Sequence, residues 1–310
     1  MLRIAVPDLV SNSYFPIIAA VEMGFFKEEG FDASVDLLFP IPKTFEALRD
    51  GSLDFVVGSA HATLLAFPEW QGAKLLAACG QHTYWFLVIR SDLKPQRGDL
   101  SVVKGLRIGA APGVNLSLQR MLIEAGIDPE KNHVQIMPIP GAAGPNVSFG
   151  LSAAKALEEG TLDGFWANGM GCEVAVRRGV GTMVLDVRRG DGPTVARHYT
   201  FSALVATDKT IKNNPAAARA AIRAMMKAHK ALKQDPNRAT AVGQKRFPAS
   251  EAGLIAELVR RDLPYYDPTI PPEKVESMNR FAQDIGLLKA PAAYDRVVAT
   301  EFSHMWNEPV

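Results

Sequence analysis

Cysteine is scarce in this sequence, which narrows the kinds of site it can hold. Only Cys79 and Cys172 occur in 310 residues, too few for a disulfide framework, and neither stands at a spacing that metal-binding motifs use. Cys79 directly follows the apolar run 75–78, which predicts a buried structural thiol. We therefore expect neither a metal site nor a cofactor.

A dominant charge is also missing. Lys and Arg total 34 against 33 Asp and Glu, for a formal net charge of +1. A nearly neutral chain has no overall field that would attract nucleic acid or an anionic membrane, so no nucleic-acid partner is expected. The longest stretch without a charged residue, 134–154, is long enough to span a bilayer, but prolines and glycines interrupt it, so we predict strand, loop and helix there.

Motifs of the common enzyme classes are absent as well. The sequence contains no P-loop, no dinucleotide-binding glycine pattern, no HExxH helix and no GxSxG nucleophile turn. Hydrophobic residues make up 47% and charged residues 22%, which is typical of a folded globular protein. The length favours two domains.

An internal repeat organises the chain. Residues 45–55 match residues 154–164, with Ala-Leu, Gly and Leu-Asp recurring in register, and Leu2-Arg3-Ile4 matches Leu106-Arg107-Ile108. Each Leu-Asp copy shows the end of an amphipathic helix, a glycine that ends it, a turn and a strand. Two similar α/β units with mostly parallel sheets are therefore predicted.

The predicted units are discontinuous in sequence. We assign residues 1–90 and 205–310 to the first lobe and 91–204 to the second. The chain is expected to cross between them near 89–92 and 201–205, where it would bend as a hinge.

Four segments carry a resemblance to a known family. They are 20–31 (Ala-Val-Glu-Met-Gly-Phe-Phe-Lys-Glu-Glu-Gly-Phe), 47–54 (Ala-Leu-Arg-Asp-Gly-Ser-Leu-Asp), 103–109 (Val-Lys-Gly-Leu-Arg-Ile-Gly) and Asn214-Pro215. With the order of elements, they resemble the type II periplasmic binding proteins of ABC transporters, in the branch that binds nitrate, sulfonates, taurine and thiamin pyrimidines. The resemblance implies an α/β fold of two lobes, each a mostly parallel sheet flanked by helices, with a ligand cleft between the lobes.

Candidate ligand contacts follow from this fold, because ligands bind where the carboxyl ends of parallel strands meet loops and helix starts. The candidates in those loops and near the first crossing are Asn12, Ser13, Tyr14, Ser59, His61, Trp85, Gly113, Asn115, Trp166 and Asn168. Asn12 and Ser13 also suit a capping role for the following helix, and Trp166 suits plain core packing. None of these loops contains Lys or Arg, which disfavours a small dianion such as sulfate.

The function implied is capture of a small neutral or monoanionic organic molecule, such as a sulfonate, an aromatic acid or a pyrimidine, by hinge closure. A transporter permease would be the partner, and we expect a monomer. A cytosolic enzyme on the same fold, of the desulfinase, decarboxylase or pyrimidine-metabolism type, is the alternative. The chain begins in a β-like run at Leu2 without a signal segment, so we expect a periplasmic location if such a segment has been removed, and a cytoplasmic one if Met1 is the native start.

Overall fold

The computed structural model describes residues 1–142 and 147–310, and these form two compact units. The first unit comprises Met1–His82 and Thr200–Val310, and the second comprises Thr83–Tyr199. The first junction lies at 82–83 instead of the predicted 90–91, and the second lies at 199–200 instead of 204–205. The reason is strand pairing, since residues 86–90 pair only within the second unit and residues 202–207 only within the first.

Ten strands are present in the described residues. They are β1 (Leu2–Val6), β2 (Ala33–Leu37), β3 (Phe55–Ser59), β4 (Ala73–Gly80), β5 (Phe86–Arg90), β6 (Arg107–Ala110), β7 (Gln135–Met137), β8 (Gly164–Ala167), β9 (Gly181–Asp186) and β10 (Ser202–Thr207).

The same residues form thirteen α-helical segments. They are α1 (Phe15–Glu22), α2 (Phe25–Glu28), α3 (Ile41–Arg49), α4 (Asn115–Glu124), α5 (Phe149–Glu158), α6 (Gly169–Arg177), α7 (Asp208–Asn213), α8 (Pro215–Gln234), α9 (Arg238–Arg246), α10 (Ala249–Ala252), α11 (Ile255–Asp262), α12 (Pro272–Asp284) and α13 (Tyr294–Val297). None of the helices in the described ranges is long and apolar enough to cross a membrane.

Each unit contains a mixed five-stranded sheet. The first has the order β2-β1-β3-β10-β4 and the second has the order β7-β6-β8-β5-β9. In each sheet four strands run in one direction, and the reversed strand, β10 or β5, is the one that follows a junction between the units. The predicted mostly parallel sheets flanked by helices are confirmed.

The repeat is preserved in individual hydrogen bonds. In the first unit the Arg3 N–H donates to the Asp54 carboxylate at 2.7 Å, and the Arg3 guanidinium donates to the Gly51 carbonyl at 3.0 Å. In the second unit the Arg107 N–H donates to Asp163 at 3.0 Å, and the guanidinium donates to the Gly160 carbonyl at 2.9 Å. The Leu-Asp and Leu-Arg-Ile motifs therefore recur because they bond to each other.

The turn after the first helix has a similar structural role. Gly24 and Gly30 adopt left-handed φ values of 81° and 84°, which glycine tolerates best. Between them Glu29 pairs with Arg223 and Lys227 of α8, both at 2.7 Å. Partial burial opposes ionisation of Glu29, but these two cations outweigh it and lower its pKa. The ion pairs of Glu29 therefore hold the segment 24–30, which includes α2, against α8.

Candidate functional site

The predicted residues of the first unit lie at one edge of its sheet. Asn12, Ser13 and Tyr14 follow β1, whereas Ser59 ends β3 and His61 comes two residues later. Because β1 and β3 are parallel neighbours, their carboxyl ends meet at this edge. Ser202 at the start of β10 pairs with Ser59 and with Gly80 at the end of β4, so the segments after β4 and before β10 join the same edge.

The side chains at this edge are polar and buried. Asn12 is only 1% exposed, and its amide nitrogen donates to the Asp262 carboxylate at 2.6 Å. The Asn12 carbonyl oxygen and the Ser13 hydroxyl are buried without a hydrogen-bond partner. Neither side chain caps α1, for which Tyr14 is the N-terminal boundary residue, so the capping alternative does not hold for these side chains.

His61 is held by a residue that is remote in sequence. Its Nδ1 atom lies 2.9 Å from the Thr200 hydroxyl, and its ring packs edge-on against Phe281 with the centroids 5.2 Å apart. Gln81, after β4, donates to the carbonyls of Asp267 and Thr269. The segment that follows α11 is thereby fixed beside this edge.

The candidates of the second unit also lie at one sheet edge. Trp166 and Asn168 are at the end of β8, and Trp85 precedes β5, whose Phe86 pairs with both Ala167 and Asp186. The rings of Trp85 and Trp166 are 6.2 Å apart, and Tyr84 packs on Trp85 at 4.9 Å. Together these three side chains form an aromatic cluster.

Several polar groups of the candidate residues in the second unit form hydrogen bonds within the protein. The Trp166 indole N–H donates to the Ser117 hydroxyl at 2.9 Å, and the Asn168 carbonyl oxygen accepts from the Gly171 N–H at 3.0 Å as the cap of α6. The N–H of the candidate Gly113 donates to the Asn115 side chain at 3.0 Å. Trp166, Asn168 and Gly113 lie in β8 or in the loops after β6 and β8, and they form internal hydrogen bonds that the sequence did not reveal.

Arginine side chains lie at this edge although no candidate loop contained Lys or Arg. Arg188, just after β9, is buried and forms a two-point ion pair with Asp186 at 3.0 and 3.2 Å. Its guanidinium also lies 4.8 Å from the centroid of the Phe86 ring. Strand β9 was not predicted, so its terminal residues were missed. The same Asp186 carboxylate also pairs with the half-exposed Arg189 at 3.6 Å, so it faces two guanidinium groups and offsets the charge of one.

No grouping of three or more His, Cys, Asp or Glu side chains suited to a metal ion occurs within residues 1–142 and 147–310. Cys79, at the end of β4, is fully buried as predicted, and this burial raises the pKa of its thiol to about 12. A thiol in that environment does not supply a thiolate nucleophile at neutral pH.

Comparison with known families identifies the chain's relatives. The model of the family described as NMT1/THI5 like matches residues 11–239. The chain belongs to the NMT1/THI5-like family. No curated protein sequence matches it significantly.

Solved structures of this family's fold match almost the full chain. The periplasmic nitrate-binding protein NrtA from Synechocystis PCC 6803 superposes with a TM-score of 0.71 at 16% identity, covering 98% of this chain and 87% of the other. The alkanesulfonate-binding protein SsuA from Xanthomonas axonopodis pv. citri, bound to MOPS, gives 0.68 at 14% identity, covering 97% and 96%. The desulfurization enzyme DSZB gives 0.64 at 14% identity, covering 99% of both chains. At these identities the likeness establishes the type II periplasmic-binding-protein fold predicted from the sequence.

Proposed function

We propose that this protein is the solute-binding component of an ABC transporter and captures a small neutral or monoanionic organic molecule. The observation that carries the proposal is the polar edge of the first unit. Asn12, Ser13, Ser59 and His61 are all buried there, at the carboxyl ends of β1 and β3. Buried polar side chains that contribute little to an apolar core are typical of a small-molecule site.

The family and fold support the same function. Binding proteins for nitrate and alkanesulfonate share this fold over nearly all of the chain. The proposal includes closure of the two units about the junctions 82–83 and 199–200, a permease as the partner and a periplasmic location. In a closure mechanism, the ligand stabilises the closed state by its extra contacts there.

The alternative is an enzyme, and the desulfurization enzyme DSZB shares the fold. A desulfinase-like reaction calls for a cysteine in the loop after β1, where this chain has Ser11, Asn12 and Ser13. Cys79 does not replace it, because burial raises the pKa of its thiol to about 12. Binding without turnover is therefore the function that these residues favour.

A thermal-shift screen followed by a turnover assay tests the proposal. The panel consists of alkanesulfonates, aromatic carboxylates, pyrimidines and nitrate, and each hit is recovered and analysed by mass spectrometry. A compound that binds the native state raises the melting temperature by mass action. We expect at least one hit from the organic classes and its recovery unchanged. A hit that is consumed would establish an enzyme instead.

A pair of serine variants localises the binding. Ser59→Ala removes a buried hydroxyl at the carboxyl end of β3, whereas Ser34→Ala removes a hydroxyl from β2 of the same sheet that bonds to Asp36 at 3.3 Å. Loss of a hydrogen bond to ligand costs about 1 kcal/mol, or roughly fivefold in affinity. We expect that loss for Ser59→Ala and none for Ser34→Ala; equal affinities for both variants would remove Ser59 from the site.

A further inference from the structure

The amide of Asn12 has a fixed orientation. Its nitrogen lies 2.6 Å from a carboxylate oxygen of Asp262. The amide nitrogen donates to this carboxyl oxygen, so the amide oxygen points the other way. Asp262 is itself buried, with 4% of its surface exposed. The hydrogen bond to Asp262 therefore leaves the Asn12 carbonyl oxygen facing away from Asp262 as a hydrogen-bond acceptor.

That acceptor is unused within the described residues. The Asn12 carbonyl oxygen is buried and has no donor, and the adjacent Ser13 hydroxyl has no partner either. The Ser13 N–H, by contrast, is satisfied by the Ser11 hydroxyl at 3.1 Å. Leaving a buried polar group without a partner costs the folded state free energy. Two such groups on the consecutive residues Asn12 and Ser13, in the loop after β1, indicate that a ligand bonds to them.

The surroundings of Asn12 favour a donor that carries no negative charge. Asp8 and Asp262 are both buried beside this loop or bonded to it. An anionic oxygen placed against Asn12 would face the lone pairs of its carbonyl oxygen, whereas an O–H or N–H group would donate a hydrogen bond to that oxygen.

We infer that Asn12 accepts a hydrogen bond from an O–H or N–H group of the ligand, and that Asp262 acts as the positioning residue that turns the amide oxygen toward it. The inference rests on the proposed function and narrows its ligand class. The protein binds organic acids or heterocycles that carry a hydrogen-bond donor and discriminates against their methylated counterparts.

Matched ligand pairs test this inference by isothermal titration calorimetry. The pairs are para-hydroxybenzoate and para-methoxybenzoate, isethionate and its methyl ether, and uracil and its dimethyl derivative. For at least one pair, we expect the donor compound to bind about tenfold more tightly, because methylation leaves the buried acceptor unpaired. Equal affinity within every pair that binds overturns the inference and leaves the proposed function intact.

Three variants test which residues cause the preference for the donor-carrying ligand of each pair. Asn12→Leu removes the acceptor at similar size, and the preference should fall to within about twofold. Asp262→Asn keeps size and fold but releases the amide orientation, because an amide partner can donate as well as accept, so the preference should also fall. Asn279→Leu is the control, since Asn279 is likewise a buried amide with an unpartnered oxygen but bonds to Ala292; it should retain the wild-type preference.

The remaining outcomes are decisive. A full preference in both Asn12→Leu and Asp262→Asn, with folding verified by circular dichroism, overturns the inference because another group then recognises the donor. A probe that is consumed overturns the proposed function. No binding by any member of the three pairs overturns the proposed function for these ligand classes and the inference with it.

Discussion

The aspartate of each repeat offers a quantitative test of how the two units are stabilised. Asp163 accepts hydrogen bonds from the Arg107 backbone and guanidinium and from Arg90, and its side chain is 12% exposed. Chiefly because of the hydrogen bond from the Arg107 side chain, its pKa falls from 3.8 to about 2. We predict that Asp163→Asn destabilises the second unit while leaving the first unit nearly unchanged.

The expected loss of stability in Asp163→Asn follows from the pKa shift of Asp163. A depression of this size corresponds to about 2 kcal/mol, and the partial exposure of Arg107 reduces the expected loss to between about 1 and 2 kcal/mol. Because the folded-state pKa is depressed, this stabilisation is present above about pH 4 and disappears as the pH falls through about 2. The difference between wild type and variant should shrink over that range.

Hydrogen exchange monitored by mass spectrometry measures both units in one sample. In Asp163→Asn, peptides covering β6 and β8 should exchange about five- to thirtyfold faster at neutral pH, and peptides covering β1 and β3 should not change. The matched control is Asp54→Asn in the first repeat. Asp54 is 33% exposed beside a half-exposed Arg3, so its loss should be smaller, below about 1 kcal/mol.

Two results would refute this reasoning. The first is an equal loss of stability for Asp54→Asn and Asp163→Asn, which would mean that burial of the ion pair does not govern its contribution. The second is a difference between wild type and Asp163→Asn that stays constant from neutral pH down to the folded-state pKa of Asp163.

Two further perturbations test the packing of each unit. Burial lowers the pKa of His229 to about 4, so the unfolded state binds more protons below about pH 6.5 and stability falls toward pH 4. His229→Gln should lessen that fall by about 3 kcal/mol in urea titrations, and parallel stability profiles for variant and wild type would contradict it. Gly171→Ala places a methyl group 2.5 Å from the Gly150 carbonyl oxygen, where α5 meets α6. The overlap should lower the free energy of unfolding by about 1 to 3 kcal/mol and the melting temperature by at least about 4 °C. Gly253→Ala, with no atom within 4 Å of the added carbon, is its control, and an equal effect of both substitutions would rule out the close contact as the cause.

The α/β pattern could be predicted because residues that start or end helices act on their immediate neighbours in the sequence. Asn214 and Pro215 predict the start of α8, and in the structure the Asn214 side chain accepts from the Ala217 N–H at 3.1 Å. Gly286 ends the helical segment before it with a φ of 76°. The repeat was visible because both copies need the same glycine, strand and aspartate at the same spacing.

Strands β4 and β9 were not predicted, although each forms an edge of its sheet. Both lie outside the repeated strand-helix order, and the apolar run 75–79 within β4 lacks the alternation that marks a half-buried strand. Only pairing with β10 and β5 makes them part of a sheet. The charged pair Asp186 and Arg188 at the end of β9 was missed for the same reason.

The sequence by itself determined which loops follow the strands of each repeat, and so where the candidate residues stand, because helix, turn and strand signals act locally along the chain. Only the tertiary structure decided what those side chains do. It bonds Asn12 to Asp262 and His61 to Thr200, and it ties Trp166 to Ser117. Such partners are far apart in sequence, and a hydrogen bond between them depends on the packing of whole elements, for which a single sequence carries no local signal.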